Sequence, residues 1–279
     1  MPNLFRSREG ALTTEDAKTQ LTVLGSQSAP GPLLVPGGAT HLKAAYVCGA
    51  NDGQAATAYA ILCRLEGPGI ERGVFNFPVS SGGSAVATGT HQKSFAQRVP
   101  INIAVRAGQE VLVFAEAVGE DAGAYHVGVT LEFGSEAGPE GEILGEITVE
   151  GDITDDDVLT RLTGQGSVTA PSRLTPPDAT TLKRLFYTIS GNGAADGVGI
   201  SFIRIGGDAI KGGEQTLMLA AESWIDVASG GDGDGNNMPV MMLDNLDLEV
   251  TPNETLDISV ELGGEDNGTH VAVVTAMFV

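Results

Sequence analysis

Ala39-Thr40-His41-Leu42-Lys43 returns 140 residues later as Ala179-Thr180-Thr181-Leu182-Lys183, and the stretches they open, residues 39–70 and 179–210, align without a gap. Nine of those 32 positions are identical. A second block, residues 100–133, lies over 245–278 at an offset of 145, so that Gly119-Glu120-Asp121-Ala122-Gly123 recurs as Gly264-Glu265-Asp266-Asn267-Gly268. Gly25-Ser26 and Ala29-Pro30 return as Gly166-Ser167 and Ala170-Pro171. Solenoid repeats are much shorter than this, so the repeated unit is a whole domain. A chain of 279 residues holds two such units at the commonest domain size.

On this alignment residues 1–19 form an N-terminal arm, 20–135 a first domain, 136–160 a linker and 161–279 a second domain. The linker is read from Gly134, Gly138, Pro139, Gly141, Gly145 and Gly151 set among acids, and the arm from the lack of a matching block.

The hydrophobic period inside each unit is that of strands. Ile101, Ile103 and Val105 alternate with Asn102 and Ala104, and Leu246, Leu248 and Val250 alternate with Asp247 and Glu249. Leu256, Ile258, Val260 and Leu262 alternate with Asp257, Ser259 and Glu261, and a glycine-rich turn then leads to a closing strand from His270 to Phe278. Strands are also expected over Gln20 to Leu24, Lys43 to Val47, Ala58 to Leu65, Val74 to Val79 and Ser94 to Val99, giving seven or eight per unit. The one helix signal is a single turn, Thr154-Asp155-Asp156-Asp157 into Val158-Leu159. With 39 glycines and 13 prolines, long helices would be interrupted repeatedly. The expected fold is all-β: two tandem antiparallel β-sandwiches of jelly-roll type, related by internal duplication. An immunoglobulin-like sandwich would place a tryptophan between two cysteines, whereas Trp224 is far in sequence from Cys48 and Cys63.

Composition narrows the partners. Thirty-six acids against 15 bases give a formal net charge of −21, which repels nucleic acid at long range, so direct nucleic-acid binding is not expected. A carboxylate-rich surface poor in lysine suits concentrated salt, which screens mutual repulsion; a halophilic source is one reading and an ordinary acidic protein the other. Met1 to Arg6 runs into charges rather than an apolar core, so the reading expects no secretory signal, and no apolar run is long enough to span a bilayer. Cys48 and Cys63 have Thr188 and Ile203 as repeat partners and read as small buried hydrophobes.

Candidate chemistry is sparse. His41, His91, His126 and His270 show no metal spacing, and the repeat puts Thr181 against His41 and Tyr125 against His270, so no catalytic or metal constellation is common to both units. Nucleophile-elbow, phosphate-loop and paired-cysteine motifs are lacking, no catalytic residue is assigned, and the chain is not expected to be an enzyme. Asp232, Asp234 and Asn236 have the alternate spacing of a calcium loop, yet Asn237 and Leu243 stand where such a loop wants glycine and glutamate. Calcium is therefore the one candidate cofactor, with a solvated loop tip as the alternative. Lys43, Arg64, Lys183 and Arg204 recur in both units despite the scarcity of bases; they mark either an interface used twice or strand bases paired with nearby carboxylates.

Two eight-stranded units in one chain, the repeated Gly-Glu-Asp-x-Gly turns and the paired closing strands Ala124 to Phe133 and Thr269 to Phe278 resemble the tandem (double) jelly-roll major capsid proteins of icosahedral bacterial and archaeal viruses. The resemblance covers residues 20–279 and rests on architecture. It implies a virion structural protein made in the host cytoplasm, a homotrimer forming a pseudo-hexagonal capsid tile beside other capsid proteins. Short connections without tower insertions leave room for a capsid-decorating role. The alternative from another class is a non-enzymatic binding module, such as a turret, spike or carbohydrate-binding surface protein, although aromatics are only 5% of the chain and such sites are rich in them.

Overall fold

The computed structural model describes residues 3–13, 16–27, 30–51, 58–83, 95–119, 124–138, 141–154, 157–168, 170–191, 197–224, 238–265 and 270–279. The calcium candidates Asp232, Asp234 and Asn236, together with His91 and most of each Gly-Glu-Asp-x-Gly turn, lie outside the described residues.

The first unit contains β1 (Leu4–Leu12), β2 (Thr19–Gln20), β3 (His41–Asn51), β4 (Ala58–Glu66), β5 (Phe75–Gly83), β6 (Gln97–Ala104), β7 (Leu112–Gly119) and β8 (Tyr125–Gly134). One sheet has the order β1-β8-β3-β6 and the other β5-β4-β7-β2, all antiparallel. The second unit contains β9 (Gly145–Ile153), β10 (Thr160–Arg161), β11 (Thr181–Gly191), β12 (Gly197–Gly206), β13 (Gln215–Trp224), β14 (Met238–Pro239), β15 (Met241–Leu243), β16 (Leu248–Glu249), β17 (Asp257–Glu265) and β18 (His270–Phe278). Its sheets follow the same plan: β9-β18-β11 with β15 and β16 both on β11, and β10-β17-β12-β13. Interleaving first and last strands with middle ones in this way is the double Greek key of a jelly roll. Both units are therefore rolls, and among the described residues there is no helix.

Each roll has an apolar core, and Phe186 and Met277 of the second roll pack into that of the first. Leu42, Phe77, Ile101, Leu131 and Phe133 fill the first, and Leu182, Ile203, Val260, Val274 and Phe278 fill the second. The duplication extends to backbone irregularities that composition alone could not impose. Bulges interrupt β3 between Leu42 and Ala44 and β11 between Leu182 and Arg184, and again between Ile61 and Leu62 and between Ser201 and Phe202. Left-handed residues also pair off across the repeat, for example Asp16 with Asp157, Gly25 with Gly166, Asn102 with Asp247 and Gly108 with Asn253.

Several expected boundaries move. The arm is absent as such: Leu4–Leu12 is β1, paired along its whole length with β8. The expected linker contains β9, paired along its length with β18, so the true connection is only residues 135–144. The strands expected at Ser94 to Val99 and from Ile101 merge into one β6, and the strand at Gln20 to Leu24 shrinks to two residues. No turn of helix forms at Thr154, Asp157, Val158 or Leu159; Asp157 instead adopts φ 54°. Asn102 was expected on a wet face but is fully buried. Its left-handed backbone turns the side chain toward the connection, where the Nδ2 group donates to the Gly141 carbonyl and Oδ1 accepts from the Gly138 amide at 2.7 Å.

Gly67 and Gly207 occupy equivalent turns at φ 104° and 90°, with backbone so close that an added Cβ would lie 2.8 Å from the Glu110 carbonyl oxygen and 2.4 Å from that of Thr255. Left-handed strain and a backbone clash combine there. Gly67→Ala and Gly207→Ala are each expected to destabilise the protein by about 2–4 kcal/mol, measured by denaturant unfolding. Gly73→Ala, at φ 93° but facing open space, should cost only about 1 kcal/mol.

Candidate functional site

Jelly rolls ordinarily bury one face of each sheet. Here a second pair of faces is buried as well, because the outer face of the first roll's β5-β4-β7 sheet packs on the outer face of the second roll's β9-β18-β11 sheet. The apolar seam consists of Ala60, Leu62 and Val118 against Val271 and Val273, all at most 2% exposed. Hydroxyls bridge it: Ser81 Oγ and Thr188 Oγ1 share a hydrogen bond, Ser81 Oγ also donates to the Ile189 carbonyl at 3.2 Å, and Ser190 Oγ donates to the Tyr59 carbonyl at 2.9 Å. These short side chains let two sheets approach closely while satisfying buried polar groups.

At one margin Arg184 is 1% exposed, its Nε and Nη2 at 3.1 and 3.0 Å from Asp244 Oδ1 and its Nη1 donating to the Pro100 carbonyl of the first roll at 3.3 Å. Burying a guanidinium is tolerated only when its donors are used in this way. Nearby, the second roll lends a strand to the first: β14 pairs with Ser80 and Ser81 of β5, and the Val240 amide donates to Gln97 Oε1 at 2.7 Å.

Carboxylates line the rest of the seam. Glu146 on β9 accepts from the Asn76 amide at 3.0 Å, Asn76 Nδ2 at 2.7 Å and Thr148 Oγ1 at 2.8 Å, while Arg64 Nε donates to Asn76 Oδ1 at 2.8 Å. Burial nevertheless leaves its pKa above the usual carboxylate range. Glu116, 4% exposed on β7, accepts from the amide and hydroxyl of Ser167 in the second roll, and burial raises its pKa. Glu150 on β9 accepts from the Gly166 amide at 3.2 Å; burial first, then the charges of Asp16, Asp152 and Glu116, push it up to about 7. Burial raises Asp16 too. The equivalent of Glu150 in the first roll, Glu9, accepts from the Gly25 amide at 2.6 Å and stands 3.2 Å from His126; that hydrogen bond holds its pKa down. One position in the repeat thus serves a solvent-facing ion pair in one roll and a crowded, proton-holding seam in the other.

Among the described residues, those singled out in the sequence do not converge on one site. In each roll the lysine and the arginine belong to different sheets, Lys43 and Lys183 to β3 and β11, Arg64 and Arg204 to β4 and β12. Lys183 pairs with Asp247 at 2.6 Å, and Arg204 with Glu261 at 2.8 Å. The Lys43 stem covers Gly134, where an added Cβ would meet its Cδ at 2.6 Å. Only Arg64 joins the inter-roll seam. His41 stands 3.5 Å from Glu142, and His270 is buried within β18. Cys48 is half-buried and Cys63 fully buried, both as free thiols, and burial pushes the Cys63 thiol up. Among the described residues, no three His, Cys, Asp or Glu side chains are grouped so as to hold a metal ion, and no helix is long and apolar enough to cross a membrane. Sequence reasoning missed Arg184, Glu116, Glu146 and Glu150. The signal for the last was present, since Glu9-Gly10 recurs as Glu150-Gly151 at the offset of 141 that relates Gly25-Ser26 to Gly166-Ser167.

No family model matches the chain, and no curated protein matches it in sequence. Among solved structures it is similar to PNGF-II, at 12% identity and a TM-score of 0.42 over 98% of this chain and 65% of that one. It is also similar to the PBSX exported protein XepA (12%, TM-score 0.23, 98% of this chain and 86% of that one) and to a triple jelly-roll turret protein of an archaeal virus (11%, TM-score 0.21, 99% and 78%). The chain thus spans just under two thirds of the length of PNGF-II. At such scores these likenesses carry no functional argument.

Because the Glu150 pKa is raised on folding, the folded protein holds a proton that the unfolded chain releases near pH 4.5, so this group's stabilisation is complete below that pH and is lost as pH rises to about 7. Glu150→Gln is expected to flatten the fall in melting temperature across that window. It should also raise stability at pH 8 by about 1–2 kcal/mol, allowing for partial solvent screening.

Proposed function

We propose that this chain is a structural protein of a virion, either a capsid tile or a protein that decorates a capsid, and that it acts as a homotrimer in which three chains present six similar rolls. The observation that carries this reading is the inter-roll seam: two copies of one roll are joined face against face, and the joining surfaces are built from sheet faces that solvent would otherwise wet. A protein whose added burial goes into fixing two similar bodies relative to one another suits a building block. Three such pairs around an axis give a six-sided unit from a single gene product. The acidic surface agrees with a particle that excludes nucleic acid from its protein faces, and with assembly in concentrated salt, where repulsion between subunits carrying a formal charge of −21 is screened.

The self-association of purified protein tests the reading. Sedimentation equilibrium in dilute and molar salt is expected to give trimers, with six-sided tiles or closed shells in negative stain; a chain that stays monomeric at millimolar concentration in both would contradict it.

A further inference from the structure

The inter-roll seam uses one face of each roll, and the repeat supplies each roll with the other face as well. The offset of 140 carries Ala60, Leu62 and Pro78 of the covered first-roll face onto Ile200, Phe202 and Met218 of the second roll. The register is preserved, Leu62 opposite Pro78 and Phe202 opposite Met218, each just past a bulge. None of the described residues covers Ile200, which is 41% exposed, or Met218, which is 70% exposed, and Phe202 between them is half-buried. Conversely, the covered second-roll positions Glu146, Thr148, Glu150, Phe186 and Val273 correspond to Phe5, Ser7, Glu9, Tyr46 and Gly128 on the first roll, where Phe5 is 50% exposed. Phe5 and Tyr46 meet edge to face there, with ring centroids 6.1 Å apart.

The two open faces keep several features of the two closed ones. Ser7 Oγ and Thr130 Oγ1 lie 2.8 Å apart, reproducing the pair Thr148 and Thr275 at 2.8 Å within the seam. Glu9 holds the Gly25 amide as Glu150 holds that of Gly166, which presents Ser26 as Ser167 is presented to Glu116; the equivalent of Glu116 is Glu261. Size is exchanged in a complementary sense at the middle of the face: Ala60 and Leu62 become the larger Ile200 and Phe202, while the opposing Val273, Thr188 and Ser190 become the smaller Gly128, Cys48 and Ala50; at its edges Val118 becomes Gly263 and Val271 becomes His126. Exposed apolar side chains grouped beside an ion pair, as Ile200, Phe202 and Met218 are beside Arg204 and Glu261, suit an interaction site, and a heterologous contact that repeats an internal one propagates from copy to copy.

We infer that the partner of the open second-roll face is a second copy of this chain, whose β1-β8-β3 face docks on β13-β12-β17 and repeats the inter-roll seam between molecules, with Glu261 accepting from Ser26 of the next copy. This names the surfaces by which the proposed building block associates and rests on that reading. Two variants at solvent-exposed positions test it: Met218→Lys blocks the second-roll face and Phe5→Lys the first-roll face. In sedimentation velocity the wild type is expected to associate, each variant alone to associate at least tenfold more weakly, and an equimolar mixture of the two to form one-to-one dimers, since each keeps one intact face. Wild-type oligomers that neither variant weakens, or a mixture of two monomeric variants that stays monomeric, would overturn the assignment of surfaces while leaving the building-block reading in place; a monomeric wild type would remove both.

Discussion

Burial of a second layer of sheet surface, the outward side of β4, β5 and β7 against that of β9, β11 and β18, is the constraint around which the molecule is organised. Within a single roll the outward side chains of a sheet are free to be polar. Where the two rolls meet, Ala60, Leu62, Val118, Val271 and Val273 are apolar on that outward side as well, and removing them from water favours one fixed arrangement of the rolls. The seam does not rely on apolar contact alone. Arg184 reaches from the second roll to the Pro100 carbonyl of the first, and Asn76 of the first supplies both an amide and a side-chain donor to Glu146 of the second. These directional bonds set the register that apolar contact leaves loose.

The duplicated chain has diverged in its core as well as on its outward faces, as Cys63 against Ile203 shows, but the outward changes decide which faces meet. Inside the rolls the two copies keep the same bulges and most of the same left-handed positions, because those follow from how a jelly roll turns its corners. On the outward faces they differ. His126 beside Glu9 has no equivalent beside Glu150, where Val271 takes its place and Glu116 of the other roll comes near. The same carboxylate is therefore held ionised in one copy and drawn toward its neutral form in the other. Arg64 and Arg204 show the same divergence, one turned into the seam through Asn76 and the other paired with Glu261 on an open face.

The roll itself was legible because period-two alternation and turn glycines are local, and because a doubled pattern reinforces a weak one. The terminal elements were not. β1 and β9 have little alternation of their own and take their place from pairing with β8 and β18, and only Glu9-Gly10 against Glu150-Gly151 announced them. Asn102 read as a solvent-facing strand residue because a left-handed residue within a strand leaves no mark in the alternation. The seam left one clear trace. β8 runs Tyr-His-Val-Gly-Val-Thr-Leu-Glu-Phe, alternating, whereas β18 runs His-Val-Ala-Val-Val-Thr-Ala-Met-Phe and is buried on both sides. A nearly continuous apolar run is the signature of a strand covered on two faces. Of the repeated bases, Arg64 reaches the seam through Asn76 while Lys183 and Arg204 pair with carboxylates of their own roll, because a recurrence in sequence does not say which surfaces come together.

Calorimetry on the purified chain tests most directly whether the two rolls are one body held by the shared face. The wild type is expected to unfold in a single cooperative transition, and Leu62→Asp, which sets a charge in the seam, to split it into two transitions, one for each roll. Two independent transitions in the wild type, or a single unaltered one in Leu62→Asp, would contradict the account.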